Sequence, residues 1–115
     1  MASYGIDISK IHFGLESFIG KSSLILLMVS DGYEFINGKK STNRTHTKYE
    51  VIQNGGEYQR FIVKVPETEP VTYNDELRAS KEPVLVDFQN AQCKLYQDSN
   101  HNIQVSVTAD SITLL

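Results

Sequence analysis

Apolar and polar positions alternate with a period of two along much of this chain, and turn dipeptides interrupt them at short intervals. In residues 60–65, Phe61, Val63 and Val65 share one face of a strand while Arg60, Ile62 and Lys64 share the other. Val84, Val86 and Phe88 oppose Leu85, Asp87 and Gln89 in the same way, and Ile103, Val105 and Val107 oppose Gln104, Ser106 and Thr108. Residues 92–97 read as another strand. Upstream, the continuous apolar run Leu24 to Val29 predicts a buried strand over residues 23–30, continued by residues 33–36 beyond a bend or bulge at Gly32. Asn37-Gly38 is a hairpin signal, with residues 48–53 as the returning strand. Asn54, Gly55 and Gly56 make the next turn, into a third strand over residues 58–65.

The order is strand, hairpin, strand, a long acidic connection containing proline, then strand, hairpin and a final strand over residues 102–115. That order suits an all-β, five-stranded Greek-key barrel with minor helix. Each strand has one apolar and one mixed face, which implies a single packed interior. Phe61 and Phe88 share faces with valines and are expected inside. The one helix expected in the second half covers residues 73–79, between strands three and four, with Asn74 as its cap and Asp75 and Glu76 in its first turn. Near the start, Ile8, Ile11, Leu15 and Phe18 fit a helical stripe that Gly14 interrupts, so residues 6–18 read as a short helix or irregular cover.

A chain of 115 residues with 40% apolar and 22% charged positions fits one globular domain, residues 1–115. Residues 1–19 form a segment of uncertain structure and residues 20–115 the barrel. Cys93 is the only cysteine, which rules out an internal disulfide and a cysteine-based zinc site. The longest apolar run, Leu24 to Val29, is too short for a membrane span, and the first ten residues lack a secretory pattern. A cytoplasmic protein without membrane contact is expected.

Charge is unevenly spread. The net charge is -3, yet residues 36–49 carry Lys39, Lys40, Arg44 and Lys48 and no acid. Glu67, Glu69, Asp75, Glu76 and Glu82 gather in the connection after the third strand. Tyr33 and Phe35 precede the basic hairpin; Tyr49 and Tyr58 follow it. Cations beside aromatic faces can hold a phosphate backbone and stack bases without reading sequence. Charged hairpins also shield sheet edges from other chains, which is the plainer reading of the same residues.

Catalytic and metal signatures are weak. Residues 14–22 look like a phosphate-binding loop, but carry five rather than four residues before Gly20-Lys21-Ser22 and lead into a strand pattern. His12, His46 and His101 lack ligand spacing. Cys93 sits in a strand pattern, and no nucleophile elbow occurs. No enzyme activity, metal or cofactor is expected.

The strands at residues 60–65, 84–88 and 94–96, and the close of the chain at residues 105–115, resemble OB-fold proteins of the bacterial single-stranded DNA-binding type. The small versions carried by plasmids, phages and conjugative elements are most similar. The resemblance covers residues 20–115. It departs from the family in having no tryptophan and no long acidic-tipped tail, so no partner recruitment through such a tail is expected. It implies non-catalytic binding of single-stranded nucleic acid, DNA favoured, with little sequence preference, in replication or transfer of a mobile element. Lys39, Lys40, Arg44, Lys48, Arg60 and Lys64 would then follow the backbone, and Tyr33, Tyr49 and Tyr58 would stack bases. The alternative is a protein-interaction or oligomeric accessory module on the same barrel, such as a homo-oligomer or a clamp on a replication or conjugation protein. Binding of an oligosaccharide or peptide is a weaker third reading.

Overall fold

The computed structural model describes residues 11–16 and 23–115. Ile8 and Phe18 of the N-terminal stripe, and most of the loop look-alike at residues 14–22, lie outside them. Where a short helix or irregular cover was expected over residues 6–18, His12–Gly14 forms strand β1, and Leu15 and Glu16 are helical. Strand β2 (Ser23–Ile36) and strand β3 (Lys39–Asn54) form one long antiparallel hairpin. Asn37 and Gly38 turn it with φ of 52° and 77°, the left-handed pair that suits strand twist. β3 begins at Lys39 rather than Lys48. Its first half pairs with β2 but carries mostly exposed polar side chains, so no apolar alternation announces it. β2 is irregular at Leu26/Met28, Gly32/Tyr33 and Tyr33/Phe35.

Strand β4 (Arg60–Val65) runs antiparallel to β3. The acidic connection leads to helix α1 (Asn74–Ala79), with Asp75 and Glu76 in its first turn. Asn74 does not cap the helix; Tyr73 occupies that position and makes no side-chain cap bond. Instead the Asn74 amide accepts from the Val29 N–H at 2.8 Å and donates to the Val29 carbonyl at 2.9 Å. The reason lies in β2. Strand β5 (Leu85–Gln89) pairs with it only at Leu24 and Ile25, so Val29 presents an open edge that Asn74 completes.

Strands β6 (Gln92–Gln97), β7 (Ile103–Thr108) and β8 (Ser111–Leu114) follow. β5 pairs with β8 up to Gln89↔Ser111, and β6 with β7 from Gln92↔Thr108, in one unbroken register. These four strands are therefore one long hairpin, bent where Asn90 takes φ 54° and its amide donates to Asp110 at 2.9 Å. The β5 half adds to β2. The β7 half adds to β4 in parallel, at Val63↔Val107 and Lys64↔Thr108. The bend is also why the expected single final strand is divided.

Among the described residues the fold is thus mostly β, with the short helix α1 and helical conformation at Leu15 and Glu16. Its sheet has, among the described residues, eight strands where five were expected, in the order β1-β6-β7-β4-β3-β2-β5-β8. The core holds Leu24, Leu26, Tyr49, Val51, Val63, Val65, Val86, Phe88, Cys93 and Val107, all buried. Phe61 and Val84 pack against it from partly buried positions. Ile103 breaks its expected face: it is 60% exposed, because β7 lies beside β4 only at its far end.

Candidate nucleic-acid interface

Along β3, Thr47, Tyr49, Val51 and Gln53 point inward, so His46, Lys48, Glu50 and Ile52 point outward. β4 alternates likewise, turning Arg60, Ile62 and Lys64 outward. Register sets Lys48 opposite Lys64 and Glu50 opposite Ile62. The β6–β7 hairpin continues this face, with Lys94 opposite Ser106 and Tyr96 opposite Gln104. Together these strands form an open groove of about 790 Å³. Among the described residues four cations line it, Lys48, Arg60, Lys64 and Lys94, against a single acid, Glu50. Arg60 is engaged: its Nε donates to Glu50 Oε2 at 2.9 Å and its Nη2 to the same oxygen at 2.5 Å. Lys48, Lys64 and Lys94 form no ion pair among the described residues. Ile62 and Tyr96 stay 46% and 43% exposed, giving the groove two apolar surfaces.

The electrostatics agree. His46 has its pKa lowered, chiefly by burial and then by Lys64 and Lys48. Its ring sits where a Cβ on Gly32 would lie, only 2.1 Å from ring atoms.

The nine residues expected to bind fall in four places. Lys48, Arg60 and Lys64 are in the groove. Tyr33, Lys39, Lys40 and Arg44 are on a two-stranded arm, which the β2–β3 hairpin makes beyond the last β3–β4 pair, Thr47↔Val65. On that arm Lys40 Nζ lies 4.4 Å from the Tyr33 ring centroid, a cation–π contact that covers one ring face. Arg44 pairs with Asp31 at 3.4 Å and donates to the Thr68 carbonyl, so it ties the arm to the acidic connection. Tyr58 is 63% exposed in the β3–β4 turn, at φ 53°. Tyr49 is the correction: it is 1% exposed, its ring packs 6.3 Å from that of Phe88, and its hydroxyl accepts from the Val71 N–H at 3.1 Å. No base can stack on it.

Lys94, Tyr96 and Ile62 were missed. The alternation of residues 92–97 already sends Lys94 and Tyr96 to one face. Only the parallel β4–β7 pairing, between strands far apart in sequence, brings that face beside Lys64.

The acidic connection after β4 does not line the groove. Glu69 lines a second hollow of about 630 Å³, with Asp31, Arg44, Tyr73 and Asn74, between the arm and α1. No group of three or more His, Cys, Asp or Glu side chains among the described residues is placed to hold a metal ion. No described helix is long and apolar enough to cross a membrane.

No protein-family model matches this sequence, and no curated protein matches it. Two solved structures are similar to it, both of the mitochondrial single-stranded DNA-binding protein Rim1 from S. cerevisiae. One, selenomethionine-labelled, is 17% identical at a TM-score of 0.39, over 80% of this chain and 91% of its own. The other is 18% identical at a TM-score of 0.38, over 83% of this chain and 96% of its own. A likeness of that size leaves the function to be argued from this chain's own groove.

Proposed function

We propose that this chain binds single-stranded nucleic acid, DNA favoured, without catalysis and with little sequence preference. One observation carries the reading: three lysines without an ion pair among the described residues, Lys48, Lys64 and Lys94, share an open groove with exposed Tyr96 and Ile62 in a chain of net charge -3. Lysines attract the backbone, and apolar faces take bases whose stacking partners are free only in a single strand. The arm residues Lys39 and Lys40 lie outside this groove, and Tyr58 at the turn offers a further exposed stacking face. Involvement in replication or transfer of a mobile element is the finer proposal, and it rests on the sequence resemblance.

The same reading takes the fold as a five-stranded OB barrel. Its support is the bent hairpin. If β5–β6 counts as one strand and β7–β8 as another, β2, β3, β4 and these two follow one another in a ring.

The test is anisotropy of fluorescein-labelled oligo-dT at low and moderate salt. Binding that weakens with salt, and weakens further when Lys48, Lys64 and Lys94 are replaced together by alanine, is expected. No binding at high micromolar protein in low salt would refute the reading.

The interaction-module alternative has one observation in its favour. On the outward face, Ile25 lies opposite Ile52 and beside Leu85, and Leu27 and Met28 are 37% and 45% exposed. An apolar outer sheet face suits self-association. Light scattering that shows a monomer at high concentration would remove the homo-oligomer form of it.

A further inference from the structure

Glu50 is the misfit of the groove. It is the single acid among the described lining residues, and its side chain is only 17% exposed, so water screens it poorly. A carboxylate there repels phosphate and weakens the binding that the lysines favour. Its bond to Arg60 is not reason enough for its presence, since an ion pair with one partner 62% exposed contributes little to stability. The geometry offers another use. Both Arg60 donors converge on Oε2, which leaves Oε1 without a protein donor among the described residues. A guanidinium has five N–H donors, so Arg60 retains others for a ligand. A free acceptor and free donors therefore stand side by side on the groove floor, with exposed Ile62 opposite Glu50.

That couple matches a feature common to all bases. Every Watson–Crick edge has an N–H next to an acceptor: N4–H beside N3 in cytosine, N6–H beside N1 in adenine, N3–H beside a carbonyl in thymine, N1–H beside O6 in guanine. In a duplex those edges are occupied by the opposite strand, and only phosphates and groove edges face outward. Resting on the single-strand reading above, we propose that the Glu50–Arg60 couple distinguishes unpaired from paired bases. It docks the Watson–Crick edge of one unpaired base, while its carboxylate repels duplex phosphate. Discrimination then comes from a repulsive element as well as an attractive one, and no sequence preference results.

The test compares Glu50→Ala and Glu50→Gln with the parent chain on three labelled ligands in one buffer: oligo-dT, a hairpin duplex, and oligo-dT methylated at every thymine N3. Methylation keeps the backbone charge and the stacking face but removes the edge N–H. The parent chain is expected to prefer oligo-dT to both others. In Glu50→Ala the preference over duplex should fall about tenfold, the size of one good base-edge pair. Most of that fall should come from tighter duplex binding, with a salt slope steeper by about 0.9 as Arg60 turns to phosphate. The penalty for N3-methylation should disappear. Glu50→Gln keeps the side-chain volume and should behave alike toward duplex, which guards against misfolding of the alanine variant. If both variants tighten on duplex and oligo-dT equally, or if the parent chain ignores N3-methylation, the proposal is wrong. Failure of the parent chain to bind oligo-dT at all would instead sink the single-strand reading itself.

Discussion

Tyr49 and Tyr96 are chemically alike, and the fold uses them in opposite ways. Tyr49 is sealed between Phe88 and the acidic connection, where its hydroxyl accepts from the Val71 N–H. Burial raises its pKa, so the hydroxyl stays protonated. Tyr49→Phe keeps the ring and removes that acceptor. It should lower stability by about 1 kcal/mol, read from urea denaturation, and leave oligo-dT affinity unchanged. The inward phase of β3 was hard to read because two inward positions are polar: Thr47 and Gln53 are 1% and 6% exposed. In β4, where Phe61, Val63 and Val65 are all apolar, the inward face was legible at once. His46 adds a pH dependence. Its pKa in the fold lies below the ordinary 6.5, chiefly from burial. Between that lower value and 6.5 the unfolded chain takes up a proton that the folded chain refuses, so stability falls as pH drops below 6.5. Melting temperatures across pH 5 to 8 should show this, and His46→Gln should reduce the acid-side loss. An unchanged profile would remove His46 as the cause.

Elements were legible where burial imposed alternation and obscure where it did not. The β2–β3 hairpin turn, β4 and β6 follow the sequence pattern closely. The distal half of β3 does not, because no core lies behind the arm. The bend between β5 and β6 is set by Asn90 and its bond to Asp110, twenty residues away, and no local signal encodes a partner that distant. Asn74 is the same lesson at a helix start. An asparagine in that place reads as a cap, yet β5 leaves the β2 edge open at Val29, and both groups of the amide serve the strand. Asn74→Ala should strip both bonds and destabilise the domain by about 1–3 kcal/mol. Hydrogen exchange at the Val29 amide should accelerate more than that of Val51, which sits mid-core. Equal acceleration at both would mean that the clamp acts globally and not on the β2 edge.

The whole molecule divides its charge. An anionic chain carries a cationic groove on the β3–β4–β6–β7 face, while the acidic connection around α1 lines a separate hollow. That division was legible in composition, but its address was not: the sequence pointed to the hairpin arm, where Arg44 is tied to Asp31 and Lys40 lies over Tyr33. The salt dependence of binding separates the two addresses. Each phosphate contact on a single strand contributes about -0.7 to the slope of log affinity against log salt. Lys48, Lys64 and Lys94 alone give a slope near -2 on that scale, and adding Lys39 and Lys40 from the arm gives about -3.5. The smaller slope is expected, because the arm reaches past the last β3–β4 pair and the groove does not extend along it. Replacing Lys39 and Lys40 by alanine should then leave the slope nearly unaltered, whereas Lys64→Ala should make it shallower by about 0.7. The reverse pattern would move the backbone path from the groove to the arm. It would also take Glu50 out of reach of any bound base, because Glu50 and Lys64 line the same trough.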